Sequence, residues 1–463
     1  MSDKTAYALM LILLIIGIGI GWAAGGAGGG VKTVTTTVTA GAPGAKTVTI
    51  TQTVTKAGAA AAGLKGEVPI GALLALTGGL SSYGENSKAA LELAEKEIND
   101  WLAARGENWR IKVYYEDTAT DPKTALDKVQ ALHSRGVKIF IGPMSSAEVK
   151  ELKNYVDSNK LLLISQSSTS PRLAIPGDMI YRYCPTDEIQ GPASATALYQ
   201  LGVRYLVQVW RGDEWGTALA EKIDEEFDKI LKAHGETGEI WGAKNGKGIR
   251  YDPQATEFSA VVSQLDSIVS QLIQKYGADK VGVSFIGFNE YVQFAAVAAQ
   301  YDSLKKVPWV GSDGTALLSE ITSNPDAAKF AYDTKFVSPI FGAATKIKEK
   351  VKNYVLKTLG REPDSYAYAA YDALWTVAVA LDLVDSYDPV AVAKVLPTIG
   401  EHWYGASGVI VLNKNGDRAS ADYFFYMPAQ EGGKWVWKLA GTYHADSGKI
   451  TWNDWFLQLL GKS

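Results

Sequence analysis

The stretch Val68-Pro-Ile-Gly-Ala-Leu-Leu-Ala-Leu76, followed at once by Gly78-Gly-Leu-Ser-Ser-Tyr-Gly84, decides the fold class. Its first part is an apolar run of strand length, suited to a strand buried on both faces. Its second part is a glycine-rich loop. From residue 84 to 105 the apolar residues Leu91, Ala94, Ile98 and Leu102 then recur at helical spacing. Buried strand, turn and amphipathic helix together open a parallel α/β unit.

Further along, the same alternation continues. Residues 111–115, 137–141 and 161–164 read as strands. Ala125, Val129 and Leu132 mark one helix and residues 145–156 another. A second set follows, with strands at 205–209, 280–286 and 307–310 and helices at 186–201, 214–233, 259–276 and 290–300. Right-handed crossovers make each set a mostly parallel sheet flanked by helices. Two such sets give two lobes with a cleft, and ligands of open α/β sheets bind beyond the carboxyl ends of the strands. The length of 463 residues fits more than one domain.

Four loops at strand ends carry the candidate chemistry. In the first, Tyr83 offers a flat apolar face. The second, Ile141-Gly-Pro-Met-Ser-Ser-Ala-Glu148, contains the capping-box pattern Ser145-x-x-Glu148, which opens a helix. Free N–H groups and the positive dipole end at a helix start suit a carboxylate; capping alone is the plainer reading. The third, Ile164-Ser-Gln-Ser-Ser-Thr-Ser-Pro171, supplies hydroxyls with little bulk, and Pro171 fits the first turn of a helix. The fourth, Val310-Gly-Ser-Asp-Gly314, holds Asp313 between small residues, where it can pair with a ligand cation. Trp215 and Phe288 follow strands as candidate aromatic walls. Anion donors, one carboxylate and aromatic walls match the chemistry of an α-amino-acid zwitterion.

Upstream, residues 6–24 form an uncharged apolar run about long enough to span a bilayer as a helix, preceded by the single cation Lys4. The expectation is an uncleaved anchor over residues 1–24; cleavage of a signal peptide near residues 23–25 is the alternative. Residues 25–66 contain two similar units, Lys32-Thr-Val-Thr-Thr-Thr-Val-Thr39 and Lys46-Thr-Val-Thr-Ile-Thr-Gln-Thr-Val-Thr55. They read as a stalk, with a two-stranded hairpin as a further option.

Composition excludes other classes. A net charge of −4 gives no electrostatic case for nucleic acid. The single cysteine, Cys184, permits no internal disulfide and no thiolate metal site, and no cofactor or metal is expected. None of the four histidines falls in a His-Glu-x-x-His pattern, and no nucleophile elbow or phosphate-binding loop is present, so an enzyme is not expected.

From Glu67 onward the chain resembles the leucine/isoleucine/valine-binding proteins of ABC transporters, within the type I periplasmic-binding and receptor superfamily. The resemblance rests on residues 78–84, Asp117-Thr-Ala-Thr-Asp-Pro122, residues 139–146 and 164–171, Gln190-Gly-Pro192, residues 311–314 and Tyr368-Ala-Ala-Tyr-Asp-Ala-Leu-Trp375, in the family's order. It implies Ser146 and Thr169 on the ligand carboxylate, and the Ser167 carbonyl with Asp313 on the ammonium. It also implies Tyr83, Trp215 and Phe288 around the side chain. Asp313 stands where leucine-type proteins have Glu, Trp215 where Tyr is frequent, and residues 242–251 look longer than usual; these departures touch ligand choice. The resemblance further implies an extracytoplasmic, cell-surface protein that delivers an amino acid or similar solute to ABC permease subunits. A ligand sensor for amides or other solutes, or a structural surface protein with a vestigial pocket, are the alternatives. The expected lobes are residues 67–186 with 339–400, and 187–338 with 401–463.

Overall fold

The computed structural model describes residues 18–21, 31–38, 48–55 and 63–462 apart from residue 343. The chain divides into two compact units, Met1–Gly63 and Leu64–Ser463. In the first unit, β1 (Ile18–Gly21), β2 (Val31–Val38) and β3 (Val48–Thr55) form an antiparallel sheet in that order. β2 and β3 are the two Thr/Val units, with Val31 opposite Thr55 and Val38 opposite Val48; β-branched residues on both strands favour this pairing. β1 lies inside the run expected to be a membrane helix. Its alternating Ile and Gly have the strand period of two, and it pairs with β2. The other residues of the expected anchor lie outside the described residues.

The second unit opens with the sheet that the first apolar run predicts. β4 (Gly66–Leu74), β5 (Trp109–Asp117), β6 (Ile139–Ile141), β7 (Leu162–Ser165) and β8 (Ile180–Pro185) are parallel, in the order β8-β7-β6-β4-β5. A second parallel sheet is built around β9 (Tyr205–Arg211). β10 (Glu239–Trp241) and β11 (Ile249–Tyr251) pair with one edge of β9; β12 (Val281–Ile286) pairs with the other and carries β13 (Trp309–Val310). Helices connect the strands of both sheets, giving the two-lobed α/β architecture.

The chain then passes back and forth. β14 (Ser338–Gly342) belongs to an antiparallel sheet that strand-helix alternation does not foretell. β15 (Tyr404–Gly405) and β16 (Gly408–Val409) make a small ribbon. β17 (Asp417–Arg418) joins the first sheet beside β8. β18 (Asp422–Glu431), β19 (Lys434–His444) and β20 (Lys449–Trp452) complete the antiparallel sheet in the order β14-β18-β19-β20, packed on helices of the second lobe. Residues 417–418 thus pair with the first sheet. A buried ion pair fixes them there, Arg182 Nε donating to Asp417 Oδ1 at 2.6 Å.

The helix Ser365–Val384 is apolar on nearly all sides. Among the described residues it alone is long and apolar enough to cross a membrane, yet 72% of its apolar window is buried within the fold. It packs along Ser81–Ala104, with Trp375 beside Trp101 at 5.9 Å. An all-round apolar helix is what a central position between layers requires.

Candidate functional site

The segments that follow β4, β6, β7, β9, β12 and β13 each deliver part of one cavity. The helix after β4 starts at Ser81, three residues earlier than its apolar period suggests, so Tyr83 and Gly84 stand in its first turn instead of a loop. Gly84 is there because the helix touches the strand it follows: a Cβ would lie 1.9 Å from the Ala75 carbonyl oxygen. This close approach turns the Tyr83 ring into the core, and only 1% of the residue is exposed. After β6 the capping box forms as its residues dictate. Ser145 Oγ accepts from the Glu148 N–H at 3.2 Å, and the Ser145 N–H donates to Glu148 Oε2 at 2.8 Å. The N–H groups of Ser146 and Ala147 have no intrahelical acceptor at this position.

Of the residues singled out from sequence, Tyr83, Ser146, Ser167, Trp215, Phe288 and Asp313 line the cavity. Ser146 Oγ accepts from Ser168 Oγ and from the Ser170 N–H, both at 3.1 Å, which leaves its own proton available. Ser167 turns its hydroxyl to the Met144 carbonyl at 2.8 Å. Thr169 does not line the cavity. Its hydroxyl approaches Asp313 Oδ2 at 3.5 Å. Trp215 and Phe288 stack at 4.8 Å between ring centroids, 14° from parallel, and the buried Trp215 indole N–H has no partner. Gly314 lies against this stack, where a Cβ would come within 2.6 Å of Trp215 and 2.8 Å of Phe288.

Asp313 is the electrostatic centre. Tyr366 donates to its Oδ2 at 2.5 Å, the Asp313 N–H donates to Gln190 Oε1 at 2.8 Å, and its buried Oδ1 has no partner. Gln190 Nε2 in turn donates to Asp187 Oδ1 at 2.7 Å, and Asp187 Oδ2 is also unpaired. Burial raises the pKa of both carboxyls, and each opposes the other's ionisation. Two carboxyls linked in this way carry a charge that asks for a cation or a proton.

Sequence reasoning does not find Tyr366, Asp187, Leu80 or Met144. Asp187 carries a legible signal, an acid in the first turn of a helix, but helix stabilisation explains that equally well. Tyr366, at the start of the helix Ser365–Val384, has none, because only the packing of that helix brings it to Asp313.

Contacts across the cleft bring the lobes together over the cavity. The Tyr83 hydroxyl donates toward the carbonyls of Asp313, at 2.9 Å, and Ala316. The Asn289 N–H donates to the Gly79 carbonyl at 3.4 Å, and Lys150 pairs with Glu214 at 2.7 Å.

A family profile described as periplasmic binding protein matches residues 67–434. An uncharacterized protein of Methanocaldococcus jannaschii is 34% identical over 403 residues, covering 83% of this chain and 91% of its own. A leucine-, isoleucine-, valine-, threonine- and alanine-binding protein of Pseudomonas aeruginosa is 21% identical and covers 76% of this chain and 87% of its own. The crystal structure of a leucine-binding protein from Thermotoga maritima superposes with a TM-score of 0.65 at 20% identity, over 80% of this chain and 97% of that one, a likeness of fold. With two parallel lobes closing over a cavity at their strand ends, and a profile that spans most of the chain, this protein belongs to the periplasmic binding protein family.

Proposed function

We propose that this chain is the extracytoplasmic solute-binding protein of an ABC importer, closing its lobes on an α-amino acid or a similar small solute for delivery to the permease. The observation that carries this reading is Asp313: a buried carboxylate with an unpaired oxygen, lining the same cavity as the start of the helix Ser146–Ser158. A ligand ammonium at Asp313 would neutralise a charge that burial otherwise penalises. A ligand carboxylate at the helix start would accept from free N–H groups, from the Ser146 hydroxyl and from the Trp215 indole. In this reading Thr169 and the Ser167 carbonyl support the ammonium side, and Tyr83 and Phe288 enclose the side chain. Residues 64–186 with 346–418 form one lobe in this reading, and 187–342 with 422–462 the other. The apolar run 6–24 and the Thr/Val units support a tether at the membrane surface.

The test is calorimetric titration of the purified full-length protein with the common amino acids, small amides and urea. Saturable binding of an amino acid is expected. Binding confined to amides or other uncharged solutes would refute the zwitterion reading.

A further inference from the structure

The aromatic wall of the cavity is held by a charged cluster that does not itself touch the cavity. Arg211, the last residue of β9, is 7% exposed, and its guanidinium lies over the Phe288 ring, 4.2 Å from the centroid. Its Nε donates to Asp213 Oδ2 at 2.5 Å and its Nη1 to Glu290 Oε1 at 2.6 Å. Both acids are tied to the wall. Asp213 caps the helix that begins with Glu214 and Trp215, its Oδ1 accepting from the Gly216 N–H at 2.8 Å. Glu290 lies two residues after Phe288 and accepts from the Tyr251 hydroxyl at 2.8 Å. Arg211 is therefore joined to Trp215 through its helix cap, and to Phe288 through its ring face and its neighbouring acid.

The other supports of the stack leave no room to adjust. Gly314 closes on both rings, and a Cβ on Gly79 would stand 3.3 Å from Phe288. Neither glycine has a side chain to trim. Arg211 is the side chain in this set whose shape and charge decide where the rings rest. Its planar fork fits two carboxylates and an aromatic face at once, which a lysine ammonium cannot do.

We infer that Arg211 is a positioning residue that sets ligand selectivity: it holds Trp215 and Phe288 as one parallel stack and so limits the side-chain size the cavity accepts. The inference rests on the amino-acid reading for its ligands, but its geometric half stands apart from that reading.

The test uses the full-length protein with Arg211→Met, Arg211→Lys and the double variant Arg211→Met/Glu290→Gln. The double variant removes a carboxylate that would otherwise be stranded, which guards against loss of folding. Calorimetric affinities for L-alanine, L-leucine and L-phenylalanine give the preference for small over large side chains. That preference should fall about tenfold in both Met variants, the scale of one methylene's fit in an apolar pocket, with Arg211→Lys restoring part of it. Crystal structures of the same variants should show the two rings no longer parallel. An equal loss of affinity for all three amino acids, or an unchanged preference in a folded variant, would mean a merely structural role. If the wild type binds none of the common amino acids, the proposed function fails. The ring geometry then decides this inference alone, and an undisturbed stack in the Met variants overturns it.

Discussion

On the proposed amino-acid reading, the substitution Asp313→Asn separates the binding of a ligand ammonium from the cost of burying the carboxyl. In the ligand-bound protein it would lose the charge that faces the ammonium while keeping the shape of the side chain. Truncating one member of a buried charge pair costs roughly 2–5 kcal/mol, about 30- to several-thousand-fold in affinity. In the ligand-free protein the sign reverses. Burial raises the Asp313 pKa above its ordinary value, and the Asp313 charge adds to the burial that raises Asp187. A raised carboxyl pKa means that the native state takes up a proton before the unfolded chain does, so ionisation at neutral pH costs native stability. The amide of the variant carries no such cost, and its oxygen can still accept from Tyr366. Calorimetry should therefore find the affinity lowered by at least about 30-fold, while thermal melts without ligand at neutral pH find the variant no less stable than the wild type. Titration in buffers of different ionisation enthalpy should also show proton release on binding to the wild type, because the ammonium takes over the proton's place beside the carboxyl pair. Unchanged affinity for an amino acid that binds the wild type would refute the ammonium role. A variant that melts well below the wild type would refute the claim that burying the Asp313 carboxyl costs native stability at neutral pH.

Three further outcomes follow from other contacts. Burial holds the Asp224 carboxyl up to about 6, against an ordinary value of 3.8, so its ionisation should cost stability as pH rises from about 4 to 6. Asp224→Asn should flatten that part of the melting-temperature profile, and a difference between variant and wild type that does not change with pH would contradict it. At the cleft mouth Glu214 accepts from Lys150 at 2.7 Å and from the Ser170 hydroxyl at 3.4 Å, joining the lobes. Lys150 is 64% exposed, so the pair is worth roughly 0.2–1 kcal/mol; Glu214→Gln should speed ligand release up to about fivefold in stopped-flow experiments, less at high salt. Gly84→Ala places a Cβ against the Ala75 carbonyl and should cost about 1–3 kcal/mol in denaturant unfolding; a neutral result would show that the helix can lift off the strand.

What the sequence by itself determined is everything that short-range physics encodes. The apolar run from Val68 makes β4 because its residues suit burial on both faces, and the helical period from Leu91 to Leu102 makes the helix that follows. Ser145 and Glu148 form their capping box because the two side chains need only reach each other's backbone three residues away. The rule that loops gather at strand ends then brings Tyr83, Ser146, Trp215, Phe288 and Asp313 to one cavity. Tertiary structure alone decided what joins distant segments. The Tyr83 hydroxyl meets the Asp313 carbonyl across 230 residues, and Tyr366 reaches the Asp313 carboxylate across 53. β17 returns to the first sheet through Asp417 and Arg182, 235 residues apart. The Thr169 hydroxyl approaches the Asp313 carboxylate, and Gln190 links Asp187 to Asp313. No periodicity or cap records such pairs, because their energies arise only once packing has removed water from between them, and that removal is a property of the whole fold.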